Sequence, residues 1–211
     1  MSKIALILGC GKGIGTTIAD SFHSAGYNVA SVSRTPRTFP TQDRVHLVAD
    51  FADPDSIEPL FDQVENRWGK APDVVVYNAY ANVLTRNDPL SACSKDFIAA
   101  FNINTASPYS AAFIAHERNN SVRYIYTGNA LNNLIDPNIT ILGVGKSASA
   151  HWIQAAAKAE GLRPAQFYYC DQRKPDGSPC YTGLRGDAHA ELYLKLAESK
   201  EQKEPNIVFR A

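Results

Sequence analysis

In the segment LGCGKGIGTT, Gly9, Gly13 and Gly15 stand at G-x-x-x-G-x-G spacing between a short apolar run and an amphipathic one. At a strand-to-helix junction, glycine permits a tight turn and lets the backbone approach a pyrophosphate. The anion is then left at the free N–H donors of a helix N-terminus. Gly9, Lys12, Gly13, Ile14 and Gly15 are therefore candidate cofactor-binding residues. About twenty residues on, Ser33 and Arg34 end a second apolar run. An acidic residue there would hold the two ribose hydroxyls of NAD, whereas Arg34 suits a 2′-phosphate, and Lys12 adds a second cation. The pair predicts NADP(H). Asp50 and Phe51, ending a third run, could cover an adenine, or could form only a helix-entry turn.

Asn104 carries a second kind of signal. Pro108, four residues on, has no N–H for the Asn104 carbonyl, and its ring pushes that carbonyl aside. A kinked helix with a free acceptor follows, and a water held there could bridge to a lysine ammonium. Gly145-Lys146-Ser147 mimics the end of a phosphate loop, but the first glycine that loop needs would fall at Thr140. His151 and His189 are lone histidines suited to a surface or a subunit contact. Cys10, Cys93, Cys170 and Cys180 form neither a C-x-x-C pair nor a metal-ligand cluster, so no metal site is expected and the thiols are read as reduced.

Elements must exist to position these residues. Short Val- and Ile-rich runs alternate with helical-period segments, as in a parallel sheet with crossover helices. Strands are expected at Ile4–Leu8, Asn28–Val32, Arg44–Ala49, Val74–Asn78, Val122–Thr127, Ala165–Tyr169 and Ile207–Phe209. Helices are expected at Ile14–Ala25, Pro54–Trp68, Ser94–His116, through Lys146 to Ala159, and at Ala188–Glu198. Asp53 should cap a helix opened by Pro54, and Asp187 the last helix. The result is a single α/β domain over 1–211, doubly wound, with a mostly parallel sheet of about seven strands. Its ligand belongs at the carboxyl ends of those strands.

The chain has 211 residues, with 21 basic and 21 acidic side chains and 45% apolar content. Neutral charge gives no footprint for nucleic acid or an anionic membrane. The short apolar start is too short for a signal peptide or a membrane span, which suggests a cytoplasmic protein.

With these residues assembled, the chain resembles the short-chain dehydrogenase/reductase family along nearly its whole length. The glycine turn, Ser33-Arg34-Thr35 and Lys12 are similar to the family's NADPH-preferring carbonyl reductases. VVVYNAY matches its N-N-A-G at Asn78 and Ala79, with Tyr77 and Tyr80 in place of the first asparagine and the glycine. FNINTASPY resembles the segment holding its catalytic asparagine, which maps to Asn104. The resemblance implies a Rossmann fold, NADP(H), a small carbonyl or alcohol substrate, and a homodimer or homotetramer. Long helices around Asn104 and after Lys146, with Phe101, Phe113, Trp152 and Ile153, would form the subunit contact.

The resemblance also implies Asn104 and Lys146 as the surviving catalytic residues, Lys146 with a second duty toward the nicotinamide ribose. The other two positions are changed. Leu142 replaces the tyrosine of Y-x-x-x-K, and Gly128 stands where the serine belongs. Tyr80, Tyr126, Thr127, Asn129 or a water on Lys146 could replace the acid. The alternative is a pseudoenzyme that binds NADPH as a sensor, a scaffold, or the structural partner of an active paralogue.

Overall fold

The computed structural model describes residues 2–39 and 41–211. Seven strands form one sheet: β1 (Ile4–Leu8), β2 (Asn28–Ser33), β3 (Arg44–Val48), β4 (Val74–Tyr77), β5 (Arg123–Thr127), β6 (Gln166–Arg173) and β7 (Asn206–Arg210). Their order is β3-β2-β1-β4-β5-β6-β7, and every pairing is parallel. The mostly parallel sheet expected from the sequence is thus parallel throughout. Strand order reverses beside β1, so the crevice at the carboxyl ends of β1 and β4 is where this architecture receives a ligand.

The connecting helices are α1 (Ile14–Ser24), α2 (Glu58–Trp68), α3 (Ser94–Phe101), α4 (Ser107–Arg118), α5 (Thr140–Lys158) and α6 (Gly186–Ala197). Side-chain alternation along the strands sorts the core into two layers. Ile4, Leu6, Leu8, Tyr77, Tyr126 and Tyr169 pack with α2, α4 and α5 on one face. Ala5, Ile7, Val76, Ile125 and Cys170 pack with α1 and α6 on the other.

The departures from the sequence reading have physical causes. The helix expected over Ser94–His116 is broken by a π-helical segment, Asn102–Ala106, just ahead of Pro108, where a missing N–H and a ring bulk widen the turn. Asp53 accepts from the Asp55 N–H as a cap should, yet Pro54 opens only a 3-10 turn, and α2 starts at Glu58. The last helix begins at Gly186, so Asp187 lies inside its first turn. Its carboxylate pairs with Arg185 instead of capping. β6 runs four residues past Tyr169, carrying Cys170, Asp171, Gln172 and Arg173 to the sheet's carboxyl edge.

Candidate active site

The glycine turn sits where β1 meets α1. Gly9 has φ of +99°, and a Cβ on it would overlap the Ala79 backbone at the end of β4. A Cβ on Gly15 would overlap the Gly9 carbonyl. Both glycines are therefore required for the turn to nest against β4. Asn78 closes the nest, its Nδ2 donating to the Gly9 carbonyl at 2.9 Å, and the Asn78 and Ala79 N–H groups donate to Leu8. Outward, the turn is open: a Cβ on Gly11 or Gly13 would meet nothing. Helix α1 has no side-chain cap and no acidic residue in its first turn. Free N–H donors facing open space with no competing carboxylate fit a phosphate-bearing ligand.

Around this turn Lys12 and Arg34 are exposed. A third cation was not found by sequence reasoning. Arg37 reaches across the start of α1, its Nη1 donating to Thr16 Oγ1 at 3.2 Å. Its signal was the run Ser33-Arg34-Thr35-Pro36-Arg37, a second arginine in one short loop. His46 steadies that loop, sitting 2.8 Å from Ser31 Oγ and 3.0 Å from both Ser33 Oγ and the Thr35 carbonyl. Burial holds its imidazole pKa below the usual value, so the ring is neutral at pH 7 and adds no charge of its own. The Phe51 ring is buried, 5.5 Å from the Tyr77 ring. Asp50 is exposed, and its side chain accepts from the Ala52 N–H in a helix-entry turn.

The second half of the site lies between the end of β5 and α5. Lys146 is 3% exposed; its Nζ donates to the Tyr126 hydroxyl at 3.0 Å and to the Thr127 carbonyl at 2.8 Å. The Tyr126 hydroxyl donates in turn to the Asn104 carbonyl at 3.0 Å, and Ser149 Oγ donates to the same carbonyl at 2.7 Å. The π-segment does present a displaced Asn104 carbonyl. The bridge from it to Lys146, however, is made by a phenol where a water was expected. Burial depresses the Lys146 ammonium to about 7, opposed by the negative charge of Asp171. The Asn104 amide is occupied as well, pairing with both the N–H and the carbonyl of Ala81 and tying the π-segment to the loop after β4.

Leu142 is buried one turn before Lys146 and brings no proton. Gly128 is closed in a different way. A Cβ there would overlap the Tyr169 ring, whose hydroxyl donates to the Asn129 carbonyl and accepts from the Asn129 N–H. Of the side chains considered as substitute acids, Tyr126 is fully buried with its pKa raised by desolvation, and Thr127 pairs with the Tyr193 hydroxyl. Asn129 caps the following turn, and Tyr80 is 66% exposed on the loop after β4. Gly145-Lys146-Ser147 lies inside α5 and cannot form a phosphate loop.

This arrangement can be set beside known proteins. Residues 3–118 match the sequence pattern of the short chain dehydrogenase family. The chain belongs to that family. A short chain dehydrogenase/reductase of Cryptosporiopsis sp. (strain 8999), dmxR12, is 38% identical over 219 residues, covering 95% of this chain and 89% of the relative. An uncharacterized oxidoreductase of Mycobacterium tuberculosis is 32% identical over 170 residues, covering 74% of this chain and 63% of the relative. The fold is shared with an apo SCOR enzyme from Clostridium thermocellum, with TM-score 0.87, 16% identity, and coverage of 100% and 92% of the two chains. It is also shared with a short chain dehydrogenase from Burkholderia cenocepacia J2315 in complex with NADP, with TM-score 0.81, 20% identity, and coverage of 99% and 96%. Among the described residues no helix is long and apolar enough to cross a membrane.

Proposed function

We propose that this chain is an NADP(H)-dependent oxidoreductase that interconverts a carbonyl and an alcohol on a small molecule. The observation that carries the reading is the cationic cradle: Lys12, Arg34 and Arg37 gather around an uncapped, acid-free helix N-terminus that follows a glycine turn. A pyrophosphate would be held by the backbone N–H groups of Gly13, Ile14 and Gly15, and a 2′-phosphate by the three cations. When bound, the cofactor supplies or accepts the hydride. Asn78 and Ala79 border the crevice, and Asn104 holds its far wall through Ala81.

The residues that usually handle the proton are absent, since Leu142 and Gly128 hold those positions. A missing general acid lowers rate by about 10²–10⁴-fold, so slow turnover or a different proton carrier is expected. Lys146 stays within its own network in this reading and orients the end of β5, with the ribose of a bound cofactor as its further partner. We also propose a homodimer or homotetramer built on α4 and α5, where Tyr109 and Phe113 are exposed and Trp152 lies edge-on to Tyr109 at 5.5 Å. Ile153 is packed in the core, which removes it from the expected subunit contact.

The test is calorimetric titration with NADP(H) and NAD(H), followed by single-turnover oxidation of bound NADPH against aldehydes, ketones, quinones and imines. Tight NADPH binding with oxidation by at least one of them supports the proposal. Binding with no oxidation by any member of the panel would replace it with a sensor or scaffold.

A further inference from the structure

The sheet's carboxyl edge carries a group that the family pattern does not account for. Strand register pairs Thr127 with Cys170, and the Gly128 N–H donates to the Cys170 carbonyl at 2.7 Å. Asp171 therefore lies beside Gly128. It has the same parity on β6 as Tyr169, and so it stands on the face where Tyr126, Lys146 and α5 meet. Asp171 is 1% exposed. One of its carboxylate oxygens accepts from Arg173 Nε at 2.6 Å. The other, Oδ1, is buried and has no hydrogen-bond partner among the described residues.

A buried polar atom without a partner is costly and rare, and in a folded protein it calls for an explanation. Packing supplies none, because Arg173 already balances the charge through Oδ2. The position is informative too. Tyrosine is lost at Leu142, serine is lost at Gly128, and next to that glycine stands an ionisable side chain with a free oxygen.

We propose that Asp171 carries the proton of the reaction, donating it to the reacting oxygen in carbonyl reduction and accepting it in alcohol oxidation. This rests on the oxidoreductase reading above. In reduction the carbonyl carbon accepts a hydride from bound dihydronicotinamide, and the C=O π pair takes the proton from the Asp171 O–H bond. Carbonyl becomes alcohol, the dihydronicotinamide is left as the oxidised nicotinamidium cation, and Asp171 is left as a carboxylate against Arg173. Oxidation runs the same bonds backward.

The surroundings suit the exchange. Burial raises the Asp171 carboxyl above the ordinary carboxylate range, while Arg173 and Lys146 pull it down. The titratable groups around it are Lys146 on α5, Tyr126 on β5, Tyr169, Cys170 and Arg173 on β6, and Tyr181 on the following loop. The loop that follows β6, residues 174–185, folds back beside it through the Arg173–Pro179 bridge and through the Arg185 N–H on Gln172.

The experiment joins carbon-13 NMR of aspartate carboxyls with kinetics of Asp171→Asn and Asp171→Glu, using a substrate found in the single-turnover panel. In the unmodified protein the Asp171 carboxyl resonance, assigned through its own backbone, should titrate above the others. Asp171→Asn should lose at least about 100-fold in kcat while NADPH affinity stays within about threefold. Asp171→Glu should recover part of that rate with a displaced pH profile. Retained turnover in Asp171→Asn overturns the proposal and leaves the oxidoreductase reading standing. An Asp171 resonance that titrates with the exposed aspartates overturns it too, and that measurement holds even if the variants fail to fold. An unmodified protein that binds NADPH and reduces nothing defeats the underlying reading, and this proposal with it.

Discussion

The Tyr126 hydroxyl stands between the Lys146 ammonium and the Asn104 carbonyl, 3.0 Å from each. It is a covalently anchored bridge, so the lysine and the π-segment are coupled through the sheet itself. Tyr126→Phe should remove both bonds and leave Lys146 with the Thr127 carbonyl alone. Loss of a hydrogen bond that satisfies buried partners costs about 1–3 kcal/mol. Urea denaturation should show that loss, with little change in the m-value.

Lys146 makes stability rise with pH. Its folded-state pKa is about 7 against an ordinary 10.5, so between those values the unfolded chain binds the extra proton. Below pH 7 the ammonium is charged in both states and the burial penalty is fully present. As pH rises toward 10.5 the penalty disappears, worth roughly 3–5 kcal/mol over the whole window. Buried tyrosines act in the opposite sense at the top of that range. The useful comparison is therefore the difference between the protein and Lys146→Met from pH 7 to 9. The parent should gain stability relative to the variant, and parallel curves would show that burial does not depress the Lys146 pKa.

Restoring the missing serine should damage this chain. Gly128→Ser drives a Cβ into the Tyr169 ring, which two hydrogen bonds to Asn129 hold in place. Overpacking of this kind costs about 1–3 kcal/mol and occasionally more. Thermal unfolding should report the drop, and the cost of Gly128→Ser should be smaller in a Tyr169→Val background than in the parent. A fully stable Gly128→Ser variant would mean that the ring moves freely.

Cofactor choice should follow the three cations. The protein should bind NADP(H) at least about tenfold tighter than NAD(H), and Arg34→Asp should reverse the ratio. Arg37→Ala should weaken NADP(H) but leave NAD(H) nearly unchanged if Arg37 serves the 2′-phosphate as proposed. Equal affinities for both cofactors in the unmodified protein would remove the assignment.

Assembly can be checked through α4. Phe113 is 58% exposed, beside Tyr109, on a helix whose other face is packed in the core. The protein should scatter light as a dimer or tetramer at micromolar concentration, and Phe113→Asp should shift it toward monomer. A monomeric parent would rule the interface out.

The fold was legible because its strands are short apolar runs that begin and end where composition changes. Ile4–Leu8 needed no adjustment, and most other strand limits moved by one residue. β6 was the exception, since Cys170-Asp171-Gln172-Arg173 reads as a loop by polarity, and pairing to β7 along its whole length keeps it extended. The cofactor cradle was legible through local spacing: the glycines lie within seven residues, and Arg34 and Arg37 share one loop. The proton-handling half was not. Tyr126 looks like an ordinary inward strand residue, and its partner Lys146 is 20 residues away on another element. Asp171 becomes interesting only beside Gly128, a neighbour supplied by the sheet. Pro108 did announce a bend at Asn104, but the identity of the group that would fill it was a tertiary fact.

The overlap of Gly128 and Tyr169 also restricts the order in which this site can be altered. A side chain at 128 and the present ring at 169 compete for one space, so a hydroxyl introduced at 128 alone carries the overpacking cost. The route that avoids that cost passes through a chain with glycine at 128 and a smaller residue at 169. That intermediate has lost the ring packed 5.5 Å from Tyr126, and with it some of the packing that keeps Lys146 buried. Directed evolution toward a serine-bearing site should therefore be slower in single-step libraries than where both codons vary together.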